Sequence, residues 1–319
     1  MELDPDLPHE ALPAVIIRPI PPFRLDFTVW VLRRRPRNAI DRWDGTTYRR
    51  IVTIGGRATE LAVQQSGSPA APRLVVTATP SLRTLADRRH VRSIVDRLLG
   101  LRIDLTEWYR LAHRDRRLAE LADRFRGVKP PRFPTVFEAL VNAFACQQLS
   151  LVVGLELLNR LAAVCDVRRG AGASAQYAFP APRDVAGSRS ASYRAIGFSH
   201  QKVRALLALS RGLDSGAIDL DTLALASDAE VCERLMQLRG VGRWTAEYVS
   251  LRGLGRLHVF PGDDVGAQKS LALWLGRPVP LDYRGVARAV EHWQPYAGMV
   301  YFHLLLDGLS RSGALEPAA

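Results

Sequence analysis

Residues 227–268, SDAEVCERLMQLRGVGRWTAEYVSLRGLGRLHVFPGDDVGAQ, decide the reading of this 319-residue chain. They open with Ser227 and, three residues on, Glu230, the pair that closes a capping box at a helix start. Val231, Leu235 and Leu238 follow at helical spacing. Gly240 and Gly242 then break that helix, and a second amphipathic run over 243–251 begins at once. The spacing therefore predicts two helices joined by a tight glycine hairpin. At Gly240, Val241, Gly242 and Arg243 the backbone can present free N–H groups at the head of the second helix, an arrangement that binds a phosphate.

Composition narrows the partner. The formal charge is +12 and the isoelectric point near 10.3, a balance that suits a polyanion. Basic residues are almost all arginine, the only lysines being Lys129, Lys202 and Lys269; genomic base composition can account for that preference, but not for the sign of the charge. Cys146, Cys165 and Cys232 lie too far apart for a metal spacing and read as reduced thiols of a cytoplasmic, nucleoid-associated protein. The first residues are acidic and lack an apolar core, so no signal peptide is expected. No run of about 18 apolar residues could span a membrane.

Along the chain, residues 1–14 read as a mobile tail and 314–319 as a second one. Residues 15–126 read as an α+β domain. Its expected strands cover 14–17, 24–32, 48–54, 59–63 and 74–78, with Gly55 and Gly56 at a hairpin turn and a helix over 85–99. The cluster Arg33, Arg34, Arg35 and Arg37 falls between two of those strands, where a solvated turn competes with a phosphate contact. Helical periodicity takes over from 105 to 126, and the prolines at 130, 131 and 134 mark a linker. Residues 127–313 read as a helical domain interrupted over 168–192 by a Gly/Ala/Ser/Pro-rich loop insertion.

The run 238–249, with Phe260-Pro-Gly-Asp-Asp-Val265 after it, resembles the helix-hairpin-helix and Gly/Pro-Asp signature of base-excision DNA glycosylases. It is most similar to the 3-methyladenine DNA glycosylase II branch. The likeness covers about residues 23–313 and is strongest in the hairpin. It implies a mostly α fold: a helical helix-hairpin-helix core preceded by a small α+β domain with an antiparallel sheet. It also implies Asp264 as the catalytic carboxylate and Asp263 as the helix cap. Gln148 and Leu149 would form a wedge entering the space left by a flipped base, and Leu305 takes the position where a relative can carry a pocket tryptophan. Backbone carbonyls of the hairpin would hold a monovalent cation; no catalytic metal or other cofactor is implied. With no cysteine after Cys232, the four-cysteine iron–sulfur loop of some relatives is not expected.

The chemistry fits those residues. Cleaving a glycosidic bond builds positive charge on the sugar, which a carboxylate held beneath it stabilises. Of two acids at a helix start, one is expected to cap and the other to face the lesion. Glycosylases that also cut the backbone place a lysine amine at the position Trp244 fills, and an indole cannot form a Schiff base. The expected reaction is therefore hydrolysis to an abasic site by a monofunctional enzyme. Trp244 and Tyr248, four apart, share a helix face that would stack on a cationic alkylated purine, worth about 1–2 kcal/mol. Val265 stands where some relatives carry an aromatic, so a less aromatic pocket than theirs is expected. The expected partner is double-stranded DNA with damaged bases, held by 240–243, Thr245, Gln148 and Leu149, with the protein acting as a monomer. Two alternatives stay open: a glycosylase for oxidised or deaminated bases, and a non-catalytic hairpin protein that binds or senses damaged DNA.

Overall fold

The computed structural model describes residues 14–315; both expected tails fall almost entirely outside them, at 1–13 and 316–319. The chain begins with β1 (Val15–Ile17), α1 (Leu25–Arg33), β2 (Arg42–Trp43), β3 (Thr47–Ile54), β4 (Arg57–Ser66) and β5 (Arg73–Thr79). The strands form one antiparallel sheet in the order β1-β5-β4-β3-β2. The β3–β4 ladder pairs Tyr48 with Val63 and Ile54 with Arg57, and the turn is carried by Gly55 and Gly56, both at positive φ.

Then come α2 (Leu85–Leu98), α3 (Thr106–Ala112), α4 (Arg116–Arg124), α5 (Val136–Cys146) and α6 (Leu151–Cys165). Their starts are written in the sequence: Thr84 and Asp87 close a capping box on α2, and Thr135 and Ser150 cap α5 and α6. The sheet is tied to α5 by a buried ion network. Arg50 on β3 pairs with Asp41 at 2.8 Å and with Glu138 at 2.6 Å, and Tyr48 donates to Asp41 at 2.7 Å. Burial pushes the Glu138 carboxyl up while the Arg50 guanidinium holds it down. Removing one partner would strand the others without a counter-charge.

Three expectations are corrected here. Residues 24–32 form a helix, α1, not a strand. Its β-branched and aromatic residues favour a strand locally, yet Leu25, Thr28, Val29 and Leu32 recur at helical spacing and are buried. Gln65 accepts the Leu25 N–H at 2.7 Å, and α1 packs on α14 (Ala297–Arg311). The arginine cluster is consequently not a turn between strands: Arg33 and Arg34 are buried, and Arg34 closes α1 in the left-handed conformation at φ 63°. Residues 168–192 are also more than a loop, holding β6 (Arg168–Arg169) paired with β7 (Gln176–Tyr177), then α7 (Pro182–Ala186) and the start of α8 (Ser190–Ala195). Small and polar residues hide this, but Ala178, Val185 and Tyr193 are buried, and Tyr193 donates to the Val185 carbonyl at 2.8 Å.

The rest is helical: α9 (His200–Asp214), α10 (Asp228–Met236), α11 (Arg243–Val249), α12 (Val265–Trp274), α13 (Tyr283–Val290) and α14. One hydrophobic core joins the sheet and α2 to α5, α6, α9, α10 and α11. A second joins α3 and α4 to α12, α13 and α14. Both cores take residues from either side of residue 126. The seam between them carries a large cleft.

Candidate functional site

The hairpin builds one wall. The Ser227–Glu230 capping box starts α10, and Val231 and Leu235 fix it in the first core. Gly240, exposed at φ +81°, turns the chain; a Cβ there would lie 2.8 Å from that of Ala205. The Val241 side chain is buried and its N–H donates to the Leu238 carbonyl at 3.1 Å, so it presents no donor outward. Gly242 is the exposed N-cap of α11, with no side chain capping it, and Arg243 is exposed beside it. Thr245, expected on the DNA face, is buried. The Gln147 amide donates to both its hydroxyl, at 2.9 Å, and the Gly240 carbonyl, at 2.8 Å, pinning the hairpin to the α5–α6 loop. A monovalent cation on these carbonyls would have to share Gly240 with Gln147 and Leu238 with Val241.

The second wall is the head of α12, and it corrects the expected division between the two aspartates. Asp264, not Asp263, is the N-cap: its Oδ1 accepts the Ala267 N–H at 2.9 Å. Because a carboxylate has two oxygens, the same residue also faces the cleft. Its Oδ2 accepts from Tyr301 Oη at 3.1 Å and, more weakly, from Trp244 Nε1 at 3.4 Å. Asp263 instead pairs with Arg243 at 2.7 Å, and that guanidinium stacks on the Tyr283 ring at 3.8 Å. Behind them Glu247 accepts the Gly262 N–H at 2.9 Å and the Tyr283 hydroxyl at 2.8 Å. Gly262 is required by close approach, since a Cβ would sit 2.7 Å from the Tyr283 ring.

Between these walls lies a cleft of about 1110 Å³. Trp244 and Tyr248 face it with ring centroids 5.4 Å apart and planes at 31°. Leu305 lies on the opposite wall, and the exposed side chains of Val265 and Leu149 flank the opening. Gln148, exposed and at φ 55°, lines it as well. The cleft thus gathers Asp264, Asp263, Trp244, Tyr248, Val265, Leu305, Gln148, Leu149, Gly240, Gly242 and Thr245, while Arg243 and Val241 stay outside it.

Several residues of the cleft escaped the sequence reading. Tyr301 stands one helical turn before Leu305, so the face that exposes one exposes the other. Arg34 comes from α1, where the misread strand hid it: its Nη1 donates to Tyr248 Oη at 3.0 Å and its Nη2 to Asn142 Oδ1 at 2.7 Å. Lys202 and Lys269 also line the cleft, although neither belongs to the hairpin. Lys202 Nζ donates to the carbonyls of Ala145 at 3.1 Å and Gln147 at 2.8 Å, and burial pushes its pKa down. Among the described residues no group of three or more His, Cys, Asp or Glu could hold a metal ion, and no helix is long and apolar enough to cross a membrane.

A glycine hairpin feeding α11, an aspartate-headed helix twenty residues on, and a small antiparallel sheet in front define a helix-hairpin-helix glycosylase fold. Comparison agrees. The structure superposes on a 3-methyladenine DNA glycosylase from Archaeoglobus fulgidus with TM-score 0.78 at 24% identity, covering 95% of this chain and 100% of that one. An 8-oxoguanine glycosylase/lyase from Clostridium acetobutylicum gives TM-score 0.74 at 16% identity over 94% and 96%. In sequence, DNA-3-methyladenine glycosylase 1 of Schizosaccharomyces pombe is 30% identical over 151 residues, which is 47% of this chain and 62% of the relative. A Bacillus subtilis DNA-3-methyladenine glycosylase is 24% identical over 221 residues, 68% of this chain and 73% of the relative. The chain therefore spans less than two thirds of the first of these relatives. No family model matches. The chain thus has the fold of these helix-hairpin-helix glycosylases, and its sequence is similar to those of DNA-3-methyladenine glycosylases.

Proposed function

We propose that this protein is a DNA N-glycosylase of base-excision repair that flips out alkylated purines of the 3-methyladenine and 7-methylguanine type and hydrolyses their N-glycosidic bond. The observation that carries the reading is Asp264: one oxygen is spent on capping α12, and the other is turned into the cleft beside Trp244 and Tyr248. Extruding a nucleotide costs a few kcal/mol. Backbone N–H groups at Gly242 and Arg243 would offset part of that cost by holding a phosphate, and Leu149 with Gln148 would fill the vacated stack. Such backbone contacts orient DNA without reading its sequence, which suits damage found anywhere. Asp264 then stabilises the positive charge growing on the sugar and positions the attacking water. The product is an abasic site, and no catalytic metal enters the scheme.

Lysines 202 and 269 in the cleft support a second reading, in which a Schiff base forms and the strand is cut. One assay decides. Duplex DNA carrying a single N7-methylguanine is incubated with the protein and analysed with and without hot alkali, in parallel with borohydride. Base release with strand breaks only after alkali, and no borohydride-trapped adduct, is expected. A trapped adduct lost in Lys202→Met or Lys269→Met would establish the lyase reading, and no base release at all would leave a DNA-binding protein.

A further inference from the structure

Arg34 faces the base cleft, and hydrolysis through Asp264 makes no use of it. The residue is 5% exposed and lines the cleft beside Cys146 and Tyr248. Its position is over-determined: the left-handed turn ends α1, and the Arg34 N–H donates to the Trp30 carbonyl at 2.9 Å. Its acceptor is fixed as well, because Asn142 Nδ2 donates to the Glu138 carbonyl at 3.0 Å, leaving Oδ1 for the guanidinium. A guanidinium carries five N–H donors and a permanent charge. Tyr248 and Asn142 take two of the donors, and Nε, although buried, has no hydrogen-bond partner in the protein.

The charge is not cancelled by a partner of its own. Among the described residues Arg34 makes no salt bridge; Asp41 and Glu138, both paired with Arg50, act on it only at longer range. Asp264 is engaged by Ala267, Trp244 and Tyr301. A second buried cation, Arg252, lies 5.8 Å from the Tyr248 ring centroid and 5.2 Å from that of Phe133. The Tyr248 ring thus already has cations at its hydroxyl and against its ring. Its attraction for a further cation is correspondingly reduced.

We propose that Arg34 is a specificity-determining residue of the cleft: its guanidinium donates to the acceptor edge of an extruded purine. It thereby adds a demand for a carbonyl or ring-nitrogen acceptor and extends release to uncharged purines that carry one, beside the cationic alkylated purines. The proposal rests on the glycosylase reading and refines its substrate class.

The test compares single-turnover release of hypoxanthine, which is uncharged and rich in acceptors, with that of cationic N7-methylguanine, each at one site in the same duplex. Replacing the charge in Arg34→Met is expected to raise the ratio of methylguanine to hypoxanthine rate constants by about tenfold or more, whereas Arg34→Lys keeps it within about threefold of wild type. Release of both bases with an unchanged ratio in folded Arg34→Met overturns the role of Arg34 alone. Failure of the wild type to release either base overturns the glycosylase reading itself. Should Arg34→Met not fold, inhibition of the wild type supplies the answer. Neutral 9-methylhypoxanthine is expected to inhibit at a concentration about tenfold or more below that of 9-methylpurine, which lacks its carbonyl acceptor. Equal or stronger inhibition by 9-methylpurine would overturn the proposal.

Discussion

Asp264→Asn separates the two tasks that one carboxylate performs. Asparagine caps helices as well as aspartate does, and its amide oxygen can keep the Ala267 N–H bonded, so the fold is expected to change by less than about 1 kcal/mol. The cleft-facing atom fares differently. An NH₂ group placed there would confront two donors, Tyr301 Oη and Trp244 Nε1, and would carry no charge. A unit charge at roughly 4 Å from a developing sugar cation is worth about 4 kcal/mol at an effective dielectric constant near 20. Losing it corresponds to roughly a 10³-fold slower chemical step. The measurement is single-turnover base release from a duplex with one alkylated purine, with enzyme in excess and abasic sites revealed by alkali. Binding to a duplex holding a stable abasic analogue and the urea midpoint serve as controls. A variant that folds and binds as the wild type does, yet releases base within about tenfold of its rate, would refute the electrostatic role assigned to Asp264.

Three further outcomes are expected. Leu149→Ala removes an exposed apolar side chain, so stability should change by less than about 0.5 kcal/mol, while base release from duplex DNA falls roughly tenfold through loss of the wedge; release from a single strand should be little affected, and an equal fall on both substrates would argue against a wedge. Gly240→Ala forces a Cβ onto a left-handed residue and against Ala205, which should cost roughly 2–3 kcal/mol in a urea titration and weaken DNA binding. Burial lowers the His303 pKa to about 4 from 6.5, outweighing the ring's hydrogen bond to the Met299 carbonyl at 2.7 Å, which favours the charged form. The unfolded chain therefore takes up a proton that the folded one refuses, and stability falls as pH drops from about 6.5 toward 4, by on the order of 3 kcal/mol in all. His303→Leu should flatten that part of the stability–pH profile.

Sequence reasoning reached furthest where local signals and tertiary structure agree. The capping box at Ser227, the Gly240–Gly242 break and the aspartates are short-range features whose physics acts within a few residues, and α10, α11 and α12 begin where those signals stand. It failed where burial overrode propensity. Residues 24–32 carry strand-like composition, but a segment enclosed on nearly all sides is better served by a helix that satisfies its own backbone. That single misreading also concealed Arg34, because a cluster between strands suggests solvent and the end of a buried helix does not. Tyr301 and Lys202 were missed for another reason: they reach the cleft from elements distant in sequence, and no local pattern encodes that meeting. The roles of Asp263 and Asp264 were divided too simply, since pairing one acid with one duty overlooks that a carboxylate can serve two directions at once.

The left-handed bend that closes α1 gives the first third of the chain a place in the cleft. It carries a donor across to Tyr248 and Asn142, so a chimera that borrowed only the helical two thirds from a relative would inherit half a binding surface. The phenol and the amide would be left facing one another without the group that bridges them. On the proposed role of Arg34, lesion preference would be a joint property of both segments.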